Sequence, residues 1–230
     1  MKKLNDEGID LKYILGLDLG QANDPTGLVI LERSQSWTMD TVPVEEKDRY
    51  VITKWREREK VSDPIYKARH VERLKLGTPY PEVVDYVKTL INREEIGGNY
   101  GLVIDMTGVG RPVFDIAKKA GLDAVGVTIT GGDTVSWQSS RTARVSKRIL
   151  VGTVTAVMQT GRLRLAKDMD GVDALQKELL DFRVKVTDSA NDIYSAREGA
   201  HDDLVLSLAL ALWIGENYIK RPKKASMHRY

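Results

Sequence analysis

The residues of this chain best suited to chemistry are aspartates, and three of their positions share one kind of location. Asp18 closes the apolar run "YILGLD" and Asp105 closes "GLVID", while Asp202 and Asp203 open the apolar stretch "LVLSLALALW". In α/β sheets, ligands sit beyond the carboxyl ends of the strands. Carboxylates gathered there repel one another: two unit charges about 4 Å apart cost roughly 4 kcal/mol at an effective dielectric near 20. A bound cation or a shared proton removes that cost. Carboxylates around two ions about 4 Å apart suit phosphodiester hydrolysis, one ion activating water and the other stabilising the leaving oxygen. On this reading Asp18 bridges two ions, and Asp105 and one of Asp202 and Asp203 each complete one. Taken singly, each acid has a plainer reading. Asp18, Asp105 and Asp24 (before Pro25) can be turn formers, and Asp202 and Asp203 can cap a helix and suit its macrodipole. The joint placement of Asp18, Asp105 and the Asp202-Asp203 pair is what favours chemistry, and Asp24 is read as a turn residue.

Composition narrows the ion. The chain has no cysteine and three histidines, His70, His201 and His228. That excludes disulfides, iron–sulfur clusters and thiolate zinc sites, and it disfavours an imidazole-rich centre. Oxygen-only donors point to Mg²⁺ or Mn²⁺. Net charge is +2 over 230 residues, so an anionic partner has to be met by local patches. Arg141, Arg144 and Arg148 follow steps of three and four in "RTARVSKRIL", with Lys147 beside them. As one helix face they serve either phosphate contacts or plain solvation. Arg111, just after "TGVG", is a further DNA-binding candidate. Contacts made mainly to phosphates carry little sequence preference. No GxxxxGK[ST] loop occurs, so a P-loop motor is not expected. No apolar run is long enough to span a bilayer, and "MKKLNDEGID" lacks the apolar core of a signal peptide, which points to the cytosol.

The elements that must position these residues follow from periodicity and punctuation. Residues 13–19 and 26–33 predict a hairpin, and 50–57 a third strand after a long polar loop. From residue 63 the pattern reads as helical, with Pro81 in the first turn of "PEVVDYVKTLINREE". Residues 101–106 and 123–130 predict buried strands around a helix over 111–119 that Gly121 closes. A flexible loop over 128–137, a long amphipathic helix over 141–160, a short strand at 162–166 and a helix over 172–182 follow. Residues 184–196 predict a hairpin placed to act as a flap over a groove. The closing helix, 201–218, is apolar almost all round and must be buried against the sheet. The expected architecture is α/β, with a mixed central sheet flanked by helices. It forms one domain over 1–230, with 1–12 and 220–230 as flexible tails.

Two families resemble parts of this pattern. "LGLDLG" and "VIDMTGVG" are similar to the phosphate-binding turns of actin and sugar-kinase ATPases, which implies a nucleotide-binding domain. Gln21-Ala22-Asn23 after "DLG" and "HDD" at the final helix depart from that pattern. More of the chain, from about Tyr13 to Trp213, resembles the nuclease domain of the terminase large subunit of tailed bacteriophages. That resemblance rests on "LGLDLGQANDPTGLVILE", "HVERLKLGTPYPEVVDYV", "LVIDMTGVGRPVFDIAKKAG" and "GAHDDLVLSLALALW", in that order. It implies a ribonuclease H-like fold and metal-dependent cleavage of double-stranded, concatemeric viral DNA during packaging in the host cytoplasm. Carried over by position, Asp18, Asp105 and Asp202 match the family's metal-binding acids, with Asp203 an additional or alternative ligand. His201 either donates to the scissile phosphate or a ligand carboxylate, or simply flanks the helix. In a full terminase the partners are an ATPase domain, the small subunit and the portal. The ATPase domain is not expected in these residues. A junction-resolving nuclease of the same fold and a non-catalytic DNA-binding module are the competing readings.

Overall fold

Short apolar runs flanked by turn residues make the centre of the molecule. The computed structural model describes residues 11–20, 24–43, 55–188 and 202–217. β1 (Tyr13–Asp18) and β2 (Gly27–Ser34) form the expected antiparallel hairpin, with Asp18 opposite Gly27. Where the sequence predicts a polar loop, β3 (Trp37–Pro43) pairs with β4 (Trp55–Val61) in a separate two-stranded sheet. Trp37, Thr38, Thr41 and Val42 carry strand propensity that the polar residues around them obscure.

β5 (Ile65–Arg73) replaces the first part of a predicted helix. Buried Tyr66 and Ala68 alternate with exposed Ile65, Lys67 and Arg69. A register shift against β2 between Ile30 and Leu31 then brings Val71 inward, rather than His70. The bulge breaks the period-two pattern that marks a strand. α1 (Tyr80–Ile91), with Pro81 in its first turn, β6 (Tyr100–Asp105), α2 (Gly110–Lys119) and β7 (Ala124–Thr130) follow as expected. Gly121 closes α2 at φ 81°.

The predicted helix over 141–160 is corrected. β8 (Val135–Ser139) and β9 (Thr142–Ser146) form an antiparallel pair, and only α3 (Lys147–Gln159) is helical. Ala143 and Val145 are buried while Arg144 is exposed, the alternation of a strand. Ser146 ends it and caps α3, its hydroxyl accepting from the Ile149 N–H at 3.3 Å. β10 (Leu163–Arg164), α4 (Val172–Asp188) and α5 (Asp203–Asn217) complete the order. α4 continues through residues 184–188, where a hairpin is predicted, and the rest of that hairpin lies outside the described residues. So do His201 and the tail at 220–230. Leu11 is buried and packs into the core, so the expected N-terminal tail stops short of it.

The main sheet has the order β10-β5-β2-β1-β6-β7-β9-β8. β1, β6, β7 and β9 are parallel, and β5 shares their direction because both it and β1 run antiparallel to β2. The carboxyl ends of these five strands therefore line one rim. α1 and α2 cover one face, while α3, α4 and α5 cover the other. α5 is buried from Asp203 to Gly215, which explains its lack of a polar face. Its backbone rests directly on the hairpin: a Cβ at Gly16 would stand 1.9 Å from the Ser207 carbonyl oxygen, and one at Gly27 would stand 2.5 Å from that of Asp203. Among the described residues, no helix is long and apolar enough to cross a membrane.

Candidate active site

Asp18 and Asp105 end neighbouring parallel strands, one step beyond the Leu17–Ile104 pair. The sheet therefore delivers two carboxyl groups side by side. α5 brings Asp202 and Asp203 to the same rim. Ser207 ties helix to strand, its hydroxyl accepting from the Asp18 N–H at 3.1 Å and donating to the Asp203 carbonyl at 2.8 Å. Thr107, in the turn after β6, orients Asp105. Its backbone N–H and its hydroxyl both donate to Asp105 Oδ1, at 2.7 and 2.6 Å, and the hydroxyl accepts from the Ile129 N–H at 2.9 Å.

Four acids at one rim leave an electrostatic signature. Burial pushes the Asp18 carboxyl well above the usual carboxylate range, and the charges of Asp105, Asp202 and Asp203 push it further. Asp18 and Asp105 share a hydrogen bond, in which a protonated Asp18 is the donor. Burial also raises Asp105, against the opposing hydrogen bonds from Thr107. Only 6% of Asp105 and 5% of Asp203 are exposed, so water screens this repulsion poorly.

Two cations flank the acids. Arg73, at the end of β5, donates from Nε to Asp203 Oδ2 at 3.0 Å and from its fork to Glu178 Oε1. Glu178, buried on α4, also accepts from the Val205 N–H at 3.0 Å. Burial raises its pKa to about 7. On the other side Lys147 Nζ lies 2.8 Å from Asp202 Oδ2. No group of three or more His, Asp or Glu side chains among the described residues forms a ready-made metal cluster. The donors are nonetheless hard oxygens, and burial pushes the neighbouring Asp18 and Asp105 carboxyls above the usual carboxylate range, a strain that a cation between them would relieve. The residues fit a divalent ion.

The predicted DNA-binding set does not form one helix face. Arg141 precedes β9, at the end of the sheet away from the rim, and pairs with Asp123 at 2.6 Å. Arg144 is an exposed strand residue. Arg148 is exposed in the first turn of α3, and Lys147 beside it faces the acids. Arg111 is exposed on α2, 3.7 Å from Asp115. Sequence reasoning missed Arg73, Glu178, Thr107 and Ser207. Thr107 had a local signal, a hydroxyl two residues past the strand-end acid, whereas the other three depend on pairings distant in sequence.

No family model matches the chain, and no curated protein does. Three solved structures of the large terminase nuclease from thermophilic phage G20c are similar to it. One with bound cobalt has a TM-score of 0.55 at 22% identity, over 90% of this chain and 84% of that one. One described without a metal has a TM-score of 0.52 at 20% identity, over 91% and 86%. One with bound zinc has a TM-score of 0.50 at 20% identity, over 91% and 85%. The mixed eight-stranded sheet flanked by helices, with its acids at the carboxyl rim, therefore has the ribonuclease H-like fold of a large terminase nuclease.

Proposed function

We propose that this chain is a Mg²⁺- or Mn²⁺-dependent endonuclease that hydrolyses phosphodiester bonds of double-stranded DNA, as the nuclease domain of a viral genome-packaging terminase. The observation that carries the reading is the meeting of Asp18, Asp105, Asp202 and Asp203 at one strand-end rim, where burial and the neighbouring charges push the Asp18 carboxyl well above the usual carboxylate range. Asp18, Asp105 and Asp202 would hold the ions, with Asp203 as an additional or alternative ligand. When bound, divalent ions supply Lewis-acid activation of the attacking water and of the leaving oxygen. Thr107 fixes Asp105 in its rotamer through two hydrogen bonds to one oxygen. Ser207 fixes the height of α5 against β1, and Arg73 with Glu178 fixes Asp203. The exposed Arg111, Arg144 and Arg148 supply phosphate contacts. An ATPase domain, the small subunit and the portal are the partners this role calls for, in the cytoplasm of the infected host.

Incubating supercoiled plasmid with Mn²⁺ and the protein tests the reading. Wild type should nick and linearise the plasmid, and Asp18→Asn should not. Intact plasmid with wild type, or equal nicking by Asp18→Asn, refutes it. Faster cleavage of a four-way junction than of linear duplex transfers the reading to a junction-resolving nuclease.

A further inference from the structure

Lys147 stands where local electrostatics disfavour it. It is the first residue of α3, a helix with no acid in its first turn and with Arg148 next to it. The N-terminus of a helix carries partial positive charge, so a lysine there is destabilised unless something outside the helix compensates. The compensation comes from the rim. The ammonium sits 2.8 Å from Asp202 Oδ2, with only 20% of the Lys147 side chain and 26% of the Asp202 side chain exposed. Its charge also reaches Asp105, where it favours the ionised carboxylate.

The two flanking cations are held differently. Arg73 is pinned by two carboxylates, Asp203 and Glu178, and Glu178 is fixed in turn by the Val205 N–H. A planar guanidinium in such a fork is rigid, whereas an ammonium on a four-carbon stem can swing away without moving the backbone.

We propose that Lys147 is a resident counter-cation of the rim, neutralising Asp202 until a divalent ion takes that carboxylate and displaces the ammonium. The proposal rests on the reading of the rim as a cation site. It makes ion binding an exchange of one cation for another, which lowers the affinity of the site and makes release of Lys147 part of its loading.

Calorimetric titration of the full chain with Mn²⁺ tests this without reference to cleavage. Lys147→Met keeps the apolar stem and loses the charge, so it should bind Mn²⁺ roughly five-fold more tightly than wild type, the scale of a partly exposed ion pair. Lys147→Arg keeps the charge and should bind Mn²⁺ no more tightly than wild type, and Asp18→Asn should weaken binding. If Lys147 only supported the fold, Lys147→Met would bind Mn²⁺ no better than wild type. Wild-type binding that Lys147→Met leaves unchanged or weakens therefore overturns the exchange while leaving the cation site standing. Absence of binding in wild type overturns both. Should Lys147→Met fail to fold, the lysine ammonium signals of wild type give the answer by NMR. The Lys147 signal, identified by its loss in Lys147→Arg, must move on addition of Mg²⁺, and a signal unmoved at saturation overturns the proposal.

Discussion

Replacing Gly16 by alanine tests whether the close seat of α5 on the sheet sets the geometry of the acidic rim. The new Cβ would lie 1.9 Å from the Ser207 carbonyl oxygen, 2.9 Å from its carbon and 3.2 Å from the Ala211 nitrogen. All three are backbone atoms, so no rotamer change absorbs the clash. Real Cβ atoms essentially never approach closer than 3.0 Å, so α5 must retreat from β1 by about 1 Å, a shift typical of an overpacked core. Overpacking of this kind costs about 1–3 kcal/mol, and at about 3 °C per kcal/mol for a chain of this size the Tm should fall by about 3–9 °C. The same retreat carries Ser207 away from the Asp18 N–H and Asp202 and Asp203 away from Asp18. A misplacement of about 1 Å at reacting groups costs about a hundredfold in rate. Scanning calorimetry and Mn²⁺-dependent plasmid nicking read the two effects separately. Gly152→Ala is the control: that glycine is exposed within α3, with nothing within 4 Å of a built Cβ. It should be neutral or stabilise by up to about 1 kcal/mol. A wild-type Tm for Gly16→Ala refutes the seat. A lowered Tm with undiminished nicking refutes the link between the seat and the rim.

Thr107→Val removes the hydroxyl that donates to Asp105 and accepts from the Ile129 N–H. It should lower stability by about 1–2 kcal/mol and reduce nicking, while Thr107→Ser keeps both; equal activity of the two variants rules out the orienting role. pH dependence should follow the raised carboxyl of Asp18. Because its folded pKa exceeds the unfolded 3.8, the stability it contributes is complete below 3.8 and is lost as pH rises through the folded value. Glu178, raised from 4.5 to about 7, has the same sign. In a chelator, the Tm of Asp18→Asn should therefore gain on that of wild type as pH climbs above 3.8, and a constant difference contradicts the assignment. Arg144→Ala should weaken DNA binding equally across sequences and lower the salt slope by about one. An unchanged slope removes Arg144 from the interface.

The acids of the rim are legible in the sequence because Asp18 and Asp105 close apolar runs and Asp202 and Asp203 open one, and the boundary of a run is a local property. Their counter-ions are not legible in this way, and the two causes can be named. Arg73 ends β5, whose alternation is broken by the bulge opposite Ile30 and Leu31. The nine residues then match a helix as well as a strand. Lys147 follows β9, where Thr142–Ser146 alternates for only five residues before a real amphipathic helix begins. Over so short a window, periods of 2 and 3.6 give similar matches. Reading both segments as helix removes two strands from the sheet and with them the positions where cations meet the acids. The remaining ambiguity, between Asp202 and Asp203, has a different origin. Stepping along α5 from either residue meets only apolar side chains, so periodicity treats them alike. Their partners separate them. Asp203 is buried and held by a guanidinium that Glu178 holds in turn, while Asp202 precedes the helix, remains partly exposed and pairs with a lysine. Breaking the first arrangement strands buried charge, which is costly; breaking the second returns an ammonium to water. On the proposed reading of the rim, Asp202 would be the acid that turns toward an arriving ion, and what distinguishes it from Asp203 is long-range pairing alone.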